Sequence, residues 1–135
     1  MRPIRLALVL VPLCLAPTAQ AQATSHPGKY DYSVKVTMMG MGMPAITFSQ
    51  CVTKKDIDEG KAYVNKDQKG CTYSDMKRDG ERISFRMACK DPVMTGEATG
   101  TIGAEAFTIE MHAVVTEPMK MEQRSTVAAK RVGDC

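Results

Sequence analysis

The sequence predicts an all-β fold: an antiparallel meander of about seven strands forming a half-barrel or barrel-like sheet, with one short helix after the second strand. Apolar and polar residues alternate along most of the chain, which is the pattern of half-buried strands. Turn signals such as Asp79-Gly80 separate the alternating segments. The cysteines add a third observation, because small exported domains are often held together by disulfides.

The first 23 residues have the pattern of a secretory signal peptide. Arg2 and Arg5 precede an apolar stretch at 6–15, and Ala19-Gln20-Ala21 or Ala21-Gln22-Ala23 supplies small residues for cleavage. The apolar stretch is shorter than the roughly 20 residues that span a bilayer. We therefore expect export to the periplasm, with residues 24–135 as one β-rich, disulfide-stapled domain and no transmembrane segment.

The charge balance argues against nucleic-acid binding. The chain has 18 basic and 15 acidic residues, and loss of Arg2 and Arg5 with the signal would leave a net charge of about +1. Basic residues alternate with acids, as in Lys77-Arg78-Asp79, rather than forming a basic stripe. This distribution is typical of a solvated surface.

The first hairpin and the helix that follows it have clear local signals. Apolar residues at every second position of 30–38 predict a strand, residues 39–44 break it, and Ile46 begins the return. Thr53 and Asp56 form a capping box for a helical turn that Gly60 ends. Residues 61–70 are polar and are predicted to be a loop.

The remaining strands follow from their alternation. One face of the next hairpin carries the alternating residues Ile83, Phe85, Met87 and Cys89. Burial of Tyr73 on that same face requires a three-residue turn at Asp79-Gly80 rather than a two-residue one. Further strands are predicted around 96–101, 107–115 and 119–132. The inward residues of the last strand are predicted to be Met119, Met121, Val127 and Ala129.

Four cysteines remain after the signal: Cys51, Cys71, Cys89 and Cys135. An even number in a small exported domain favours two disulfides, and no C-x-x-C pair suggests a zinc site. In a meander, the first three lie at the same edge. This placement favours Cys51 with Cys71 and Cys89 with Cys135, with Cys71–Cys89 as the close rival.

Methionines suggest the one candidate metal site. Met39, Met41 and Met43 alternate in the hairpin tip, and thioethers are soft ligands that bind Cu(I). Methionine is also a flexible filler of apolar cores. In a meander, the tip and the turn near Met119 lie at opposite ends of the sheet, so their methionines would not combine.

Candidate catalytic residues are lacking. With Met111 and Met121 inside, His112 faces solvent beside Glu110 and Glu122. Neither histidine lies near a nucleophile in a recognisable motif. We expect no enzymatic activity and no resident cofactor, with Cu(I) as the alternative.

Several short segments resemble one family of small, methionine-rich, four-cysteine exported bacterial proteins that is defined as a domain of unknown function. They are Gln50-Cys51-Val52-Thr53, Cys71 with Asp79-Gly80, Met87-Ala88-Cys89, the Met-Gly-Met-Pro tip and Lys130-Arg131-Val132-Gly133-Asp134-Cys135. The resemblance covers nearly all of the chain after the signal. It implies a periplasmic β-rich domain of a Gram-negative bacterium with no established activity.

The functional expectation is a non-enzymatic periplasmic binding or interaction domain. Its partner would be a small apolar ligand or an envelope protein, because the inward faces are apolar and could line either a core or a pocket. Soft-metal binding, of copper or silver, by the methionine hairpin is the alternative. We expect a monomer.

Overall fold

The computed structural model describes residues 24–64 and 69–135, so the predicted signal peptide lies outside the described residues. The sheet contains eight strands, one of them only two residues long. They are β1 Gly28–Met38, β2 Met41–Gly42, β3 Ile46–Val52, β4 Cys71–Asp79, β5 Arg82–Lys90, β6 Val93–Ile102, β7 Ala106–Glu117 and β8 Met121–Gly133. Helix α1 (Lys54–Asp58) and a 3-10 turn (Lys61–Tyr63) connect β3 to β4.

All described strand pairs are antiparallel, and they form one open sheet in the order β2-β1-β8-β7-β6-β5-β4, with β3 also paired to β1. The predicted fold class is therefore confirmed, with β4 to β8 forming a meander. Within the described residues, β3 and β4 are not paired with each other, so the sheet has two edges. None of the helices in the described ranges is long and apolar enough to cross a membrane.

The connection from β3 to β4 does not make the short turn of a meander. Because β1 pairs antiparallel to β3 and to β8, while β4 to β8 alternate in direction, β3 and β4 run the same way. The connecting chain must return along the sheet before β4 begins. This crossover reverses the end at which every later turn lies.

One end of the sheet, the helical end, is covered by α1 and the 3-10 turn. Thr53 and Asp56 form the predicted capping box, and Gly60 follows the helix in the left-handed conformation, φ 73°. Ile57 and Tyr63 are buried in the core, although residues 61–70 were expected to be a polar loop. The Tyr63 ring lies edge-on to Phe107, with ring centres 5.0 Å apart.

In the β4–β5 hairpin, Tyr73 lies on the inner face as expected, but the length of the turn is not the cause. The turn has two residues, because Asp79 lies opposite Arg82, so the predicted three-residue turn is wrong. A bulge between Ser74 and Lys77 supplies the extra residue instead, since two residues on one strand then oppose one on the other. Tyr73 consequently lies opposite Met87 and packs on the same inner face.

Both disulfides are formed, but the favoured pairing is wrong. The bonds join Cys51 to Cys135 and Cys71 to Cys89, the latter being the rival pair. The crossover explains the error, because it puts Cys51 and Cys71 at opposite ends of the sheet. Cys71 lies directly opposite Cys89 across the hairpin, and Lys29 of β1 pairs with both Cys51 and Gly133, which brings the C-terminus to Cys51.

Candidate functional site

The methionines of the hairpin tip lie beside those of the β7–β8 turn. Met38 pairs with Gln123, and the Met39 N–H donates a hydrogen bond to the Glu122 carbonyl at 3.3 Å. The expectation that the two clusters lie at opposite ends of the sheet is therefore wrong. The crossover reversed the later turns, so both clusters occupy one end, opposite the helical end.

We call this region the methionine end and define it by six side chains. They are Met38, Met39, Met41, Met43, Met119 and Met121. Met39 is 70% exposed, Met41 71%, Met119 61% and Met43 51%. Met119 precedes β8 in a turn, so its predicted inward position is wrong, whereas Met121 and Ala129 face the core as expected. Such exposed apolar side chains in one region commonly mark a contact surface.

The backbone of the tip determines where its thioethers point. Met39 and Gly40 form a two-residue turn, and both have positive φ, 50° and 80°. A turn of this type matches the twist of the strands but normally uses asparagine, aspartate or glycine at its first position. Met41 lies opposite Met38, and side chains opposite each other in an antiparallel pair are about 5 Å apart at Cβ.

A cavity of about 420 Å³ links the two turns of the methionine end. Met39 and Met121 line it from the two sides, together with the polar residues Thr37, Lys120, Glu122 and Arg124 and with Gly40. An apolar group entering here would contact thioethers from separate parts of the chain. Lys120 and Arg124 would lie beside any polar part of the same molecule.

Methionines also lie behind the exposed ones, on the inner face of the sheet. Met87 and Met94 are buried in a second core cluster, and Met111 and Met121 pack partly buried against it. The inner face therefore changes from buried to exposed methionine towards the end of the sheet. Methionine is unbranched and polarizable, so such a surface can adapt to differently shaped apolar partners.

Among the residues that the structure describes, the titratable side chains form no second candidate site. His112 is exposed and 3.7 Å from Glu122, as predicted. His26 contacts Glu105 at 2.8 Å near the start of the described chain. On the helical end, a hydrogen bond from Lys61 lowers the pKa of the Glu59 carboxyl. In the described ranges, no group of three or more His, Cys, Asp or Glu residues is placed to hold a metal ion.

A larger depression, about 650 Å³, lies on the outer face of β4 to β7. Its lining mixes hydroxyls with charges of both signs, including Lys77, Arg82 and Glu110. The outward-facing residues of these strands are mostly polar. We therefore attribute the depression to the twist of a sheet whose outer face is solvated. We consider the methionine end the better candidate site.

Sequence reasoning found Met39, Met41 and Met43 but missed the contribution of the β7–β8 turn. The missing information was the pairing of β1 with β8, which local periodicity does not contain. No curated protein sequence and no solved structure matches this chain. The family model for "Protein of unknown function (DUF3617)" matches residues 25–135, and the chain therefore belongs to that family.

Proposed function

We propose that this chain is a non-enzymatic periplasmic binding domain that contacts an apolar ligand, or an apolar segment of an envelope protein, through the methionine end. The observation that carries the proposal is the exposure of four methionines, 51% to 71%, at one end of the sheet. A chain that needed methionine only to fill its core would bury these side chains. Two disulfides are compatible with export to an oxidising compartment.

The physical basis is the release of water from apolar surface. Burying a methionine side chain contributes up to roughly 1.5–3 kcal/mol, so several partly buried thioethers can support micromolar affinity. Flexible methionine-rich surfaces also accept more than one partner, because their side chains repack at little cost. Recognition would then depend on apolar character and size rather than on hydrogen-bond geometry.

The test measures binding of a neutral fluorescent probe, N-phenyl-1-naphthylamine, to protein purified from the periplasm with its disulfides intact. Replacing Met39, Met41, Met43 and Met119 by Gln keeps side-chain length but removes the apolar surface. We expect the probe's Kd to rise at least about tenfold. The control replaces Met76 and Val132, which are also exposed but lie outside the methionine end, by Gln and should leave the Kd unchanged.

Equal losses in the two variants would contradict the proposal, because binding would then report general surface hydrophobicity. Absence of probe binding by the wild type would contradict it as well. Circular dichroism and urea unfolding of each variant establish that the substitutions leave the fold intact.

Cu(I) binding is the second candidate, and one observation favours it. Met38 and Met41 lie opposite each other next to Met39, and the β7–β8 turn brings Met119 and Met121 to the same end. Three thioethers could converge on one soft ion there. Met39, Met41 and Met43 remain the residues predicted to bind it.

Leucine separates the two candidates, because it keeps the apolar volume and removes the soft ligand. If the domain binds apolar groups, replacing Met39, Met41 and Met43 by Leu should leave probe binding nearly unchanged. If it binds Cu(I), a competition titration with a Cu(I) chelator should show tight wild-type binding that the leucine variant loses. The titration must be done with the disulfides intact, so that cysteine thiolates cannot bind the ion.

A further inference from the structure

The outer edge of β3 is an exposed strand edge without charged side chains. Residues 45–49 are all exposed, and Ile46 and Phe48 are 60% and 44% exposed. No residue from Ile46 to Val52 carries a charge, since Cys51 is in a disulfide. Among the described strands, β3 pairs only with β1, so its other side presents unpaired N–H and C=O groups.

The opposite edge of the sheet, β4, is protected in the ways that prevent strand pairing. It carries Asp75, Lys77, Arg78 and Asp79, and the bulge between Ser74 and Lys77 interrupts its regular spacing. The Arg78 guanidinium also donates to the Ile57 carbonyl at 3.0 Å, which ties this edge to α1. Charges and bulges are devices that block edge-to-edge association, and β3 has neither.

We infer that the free edge of β3 pairs with the same edge of a second copy of this chain. Two copies of an uncharged strand can pair without repulsion between like charges. A partner strand that carried charges would find no opposite charge on β3. Pairing between two copies is isologous, so a two-fold axis passes through the contact. The inference uses residues outside the methionine end and does not depend on its function.

The pattern of β3 selects the register of the pair. Ile46 and Phe48 face inward, since they lie opposite Val34 and Tyr32. Residues opposite each other in an antiparallel pair lie on the same face of the sheet. The inner faces of the two copies are therefore continuous only if the two-fold axis lies at a residue position, so that this residue is opposite its own copy, and not between two neighbouring positions. An axis at Thr47 places Ile46 of each copy opposite Phe48 of the other and the two threonines opposite each other. Pro44, which lacks an N–H, then ends the pairing.

The experiment is sedimentation equilibrium of protein purified from the periplasm, from low micromolar to several hundred micromolar. We expect a reversible dimer. Thr47→Lys places two like charges opposite each other at the axis, and the dimer Kd should rise at least about fivefold at low salt. Thr72→Lys makes the same exchange on the exposed β4 edge and should leave the Kd unchanged.

Mixing the Thr47→Lys and Thr47→Glu variants should restore a dimer, now a heterodimer with opposite charges at the axis. Thr47 is exposed, so neither substitution disturbs the core. A monomer at every concentration, an equal effect of Thr72→Lys, or no recovery on mixing would each overturn the inference. A confirmed dimer would replace the monomer expected from the sequence.

Discussion

The two ends of the inner face are built from different kinds of apolar side chain. The helical end contains aromatic residues with fixed partners: Tyr32 donates to the Ala62 carbonyl at 3.1 Å, and Tyr63 lies edge-on to Phe107. The methionine end contains flexible thioethers, four of them more than half exposed. Aromatic groups with defined hydrogen bonds fix one arrangement, whereas methionines accept several.

From this difference we propose that stability and binding are separated along the sheet. The crossover from β3 to β4 covers the helical end with its own buried residues, Ile57 and Tyr63. No corresponding helix among the described residues contacts the exposed methionines. We therefore expect substitutions at the helical end to change the free energy of unfolding, and substitutions at the methionine end to change binding.

Removing a disulfide is expected to lower the free energy of unfolding more than the single substitutions described below. Each end of the sheet has one disulfide. Cys51–Cys135 at the helical end joins residues 84 apart, and Cys71–Cys89 at the methionine end joins residues 18 apart. By the loop-entropy estimate, replacing both cysteines of a pair by Ala costs about 4.5 kcal/mol for the long loop and about 3 kcal/mol for the short one. Urea unfolding of the two double variants measures the difference.

A greater loss for the Cys71–Cys89 variant would contradict the assignment of stability to the helical end, because the methionine end would then contribute more to the free energy of unfolding. The reduced wild type is the control, and it should be less stable than either double variant. Peptide mapping under non-reducing conditions checks that the remaining pair forms its native bond.

Replacing Tyr32 by Phe is expected to lower the free energy of unfolding by an intermediate amount that depends on pH. Removing its hydroxyl by Tyr32→Phe leaves the Ala62 carbonyl without this donor and should cost about 1 kcal/mol at neutral pH. Burial raises the pKa of the Tyr32 phenol above its ordinary value, so the unfolded chain loses the proton at a lower pH than the folded one. The stability from the neutral phenol is complete below about pH 10 and is lost as the pH rises further.

Wild-type stability should therefore fall above about pH 10, and the Tyr32→Phe variant should fall less steeply. Urea midpoints measured between neutral and strongly alkaline pH test this. Tyr30 and Tyr73, whose pKa values burial also raises, retain their contribution in both proteins. Parallel pH profiles for the two proteins would contradict the assignment of this loss to Tyr32.

Local patterns predicted most of the fold, because alternation, turn residues and caps act over a few positions. The strands other than the two-residue β2, the Thr53–Asp56 capping box and the outward position of His112 were predicted from neighbouring residues, and the structure confirms them. Even the face of Tyr73 was correct, although a bulge rather than the turn length produces it.

Two of the errors, the disulfide pairing and the position of Met119 relative to the tip, come from the assumption that every strand follows its predecessor by a short turn. The crossover after Val52 breaks that rule, and it changes both the disulfide partners and the position of Met119 relative to the tip. Its signal in the sequence was the run Ala62-Tyr63-Val64, three apolar residues within an otherwise polar stretch. Ala62 and Tyr63 are buried, and Val64 packs partly buried against the same core. Contacts between residues distant in sequence are not encoded in periodicity, so the methionine end could be predicted only in part.

Replacing Met39 is expected to change the free energy of unfolding least, and to change stability and binding in opposite directions. Its left-handed φ of 50° disfavours methionine and suits asparagine, so Met39→Asn should raise the free energy of unfolding by about 0.5 kcal/mol. The same change removes an exposed thioether, so binding of the neutral probe should weaken. Gly40→Ala is the matched control: at φ 80° it should destabilise the turn while leaving every methionine in place. A Met39→Asn variant that is less stable, or that binds the probe as tightly as the wild type, would show that Met39 serves the turn rather than a partner.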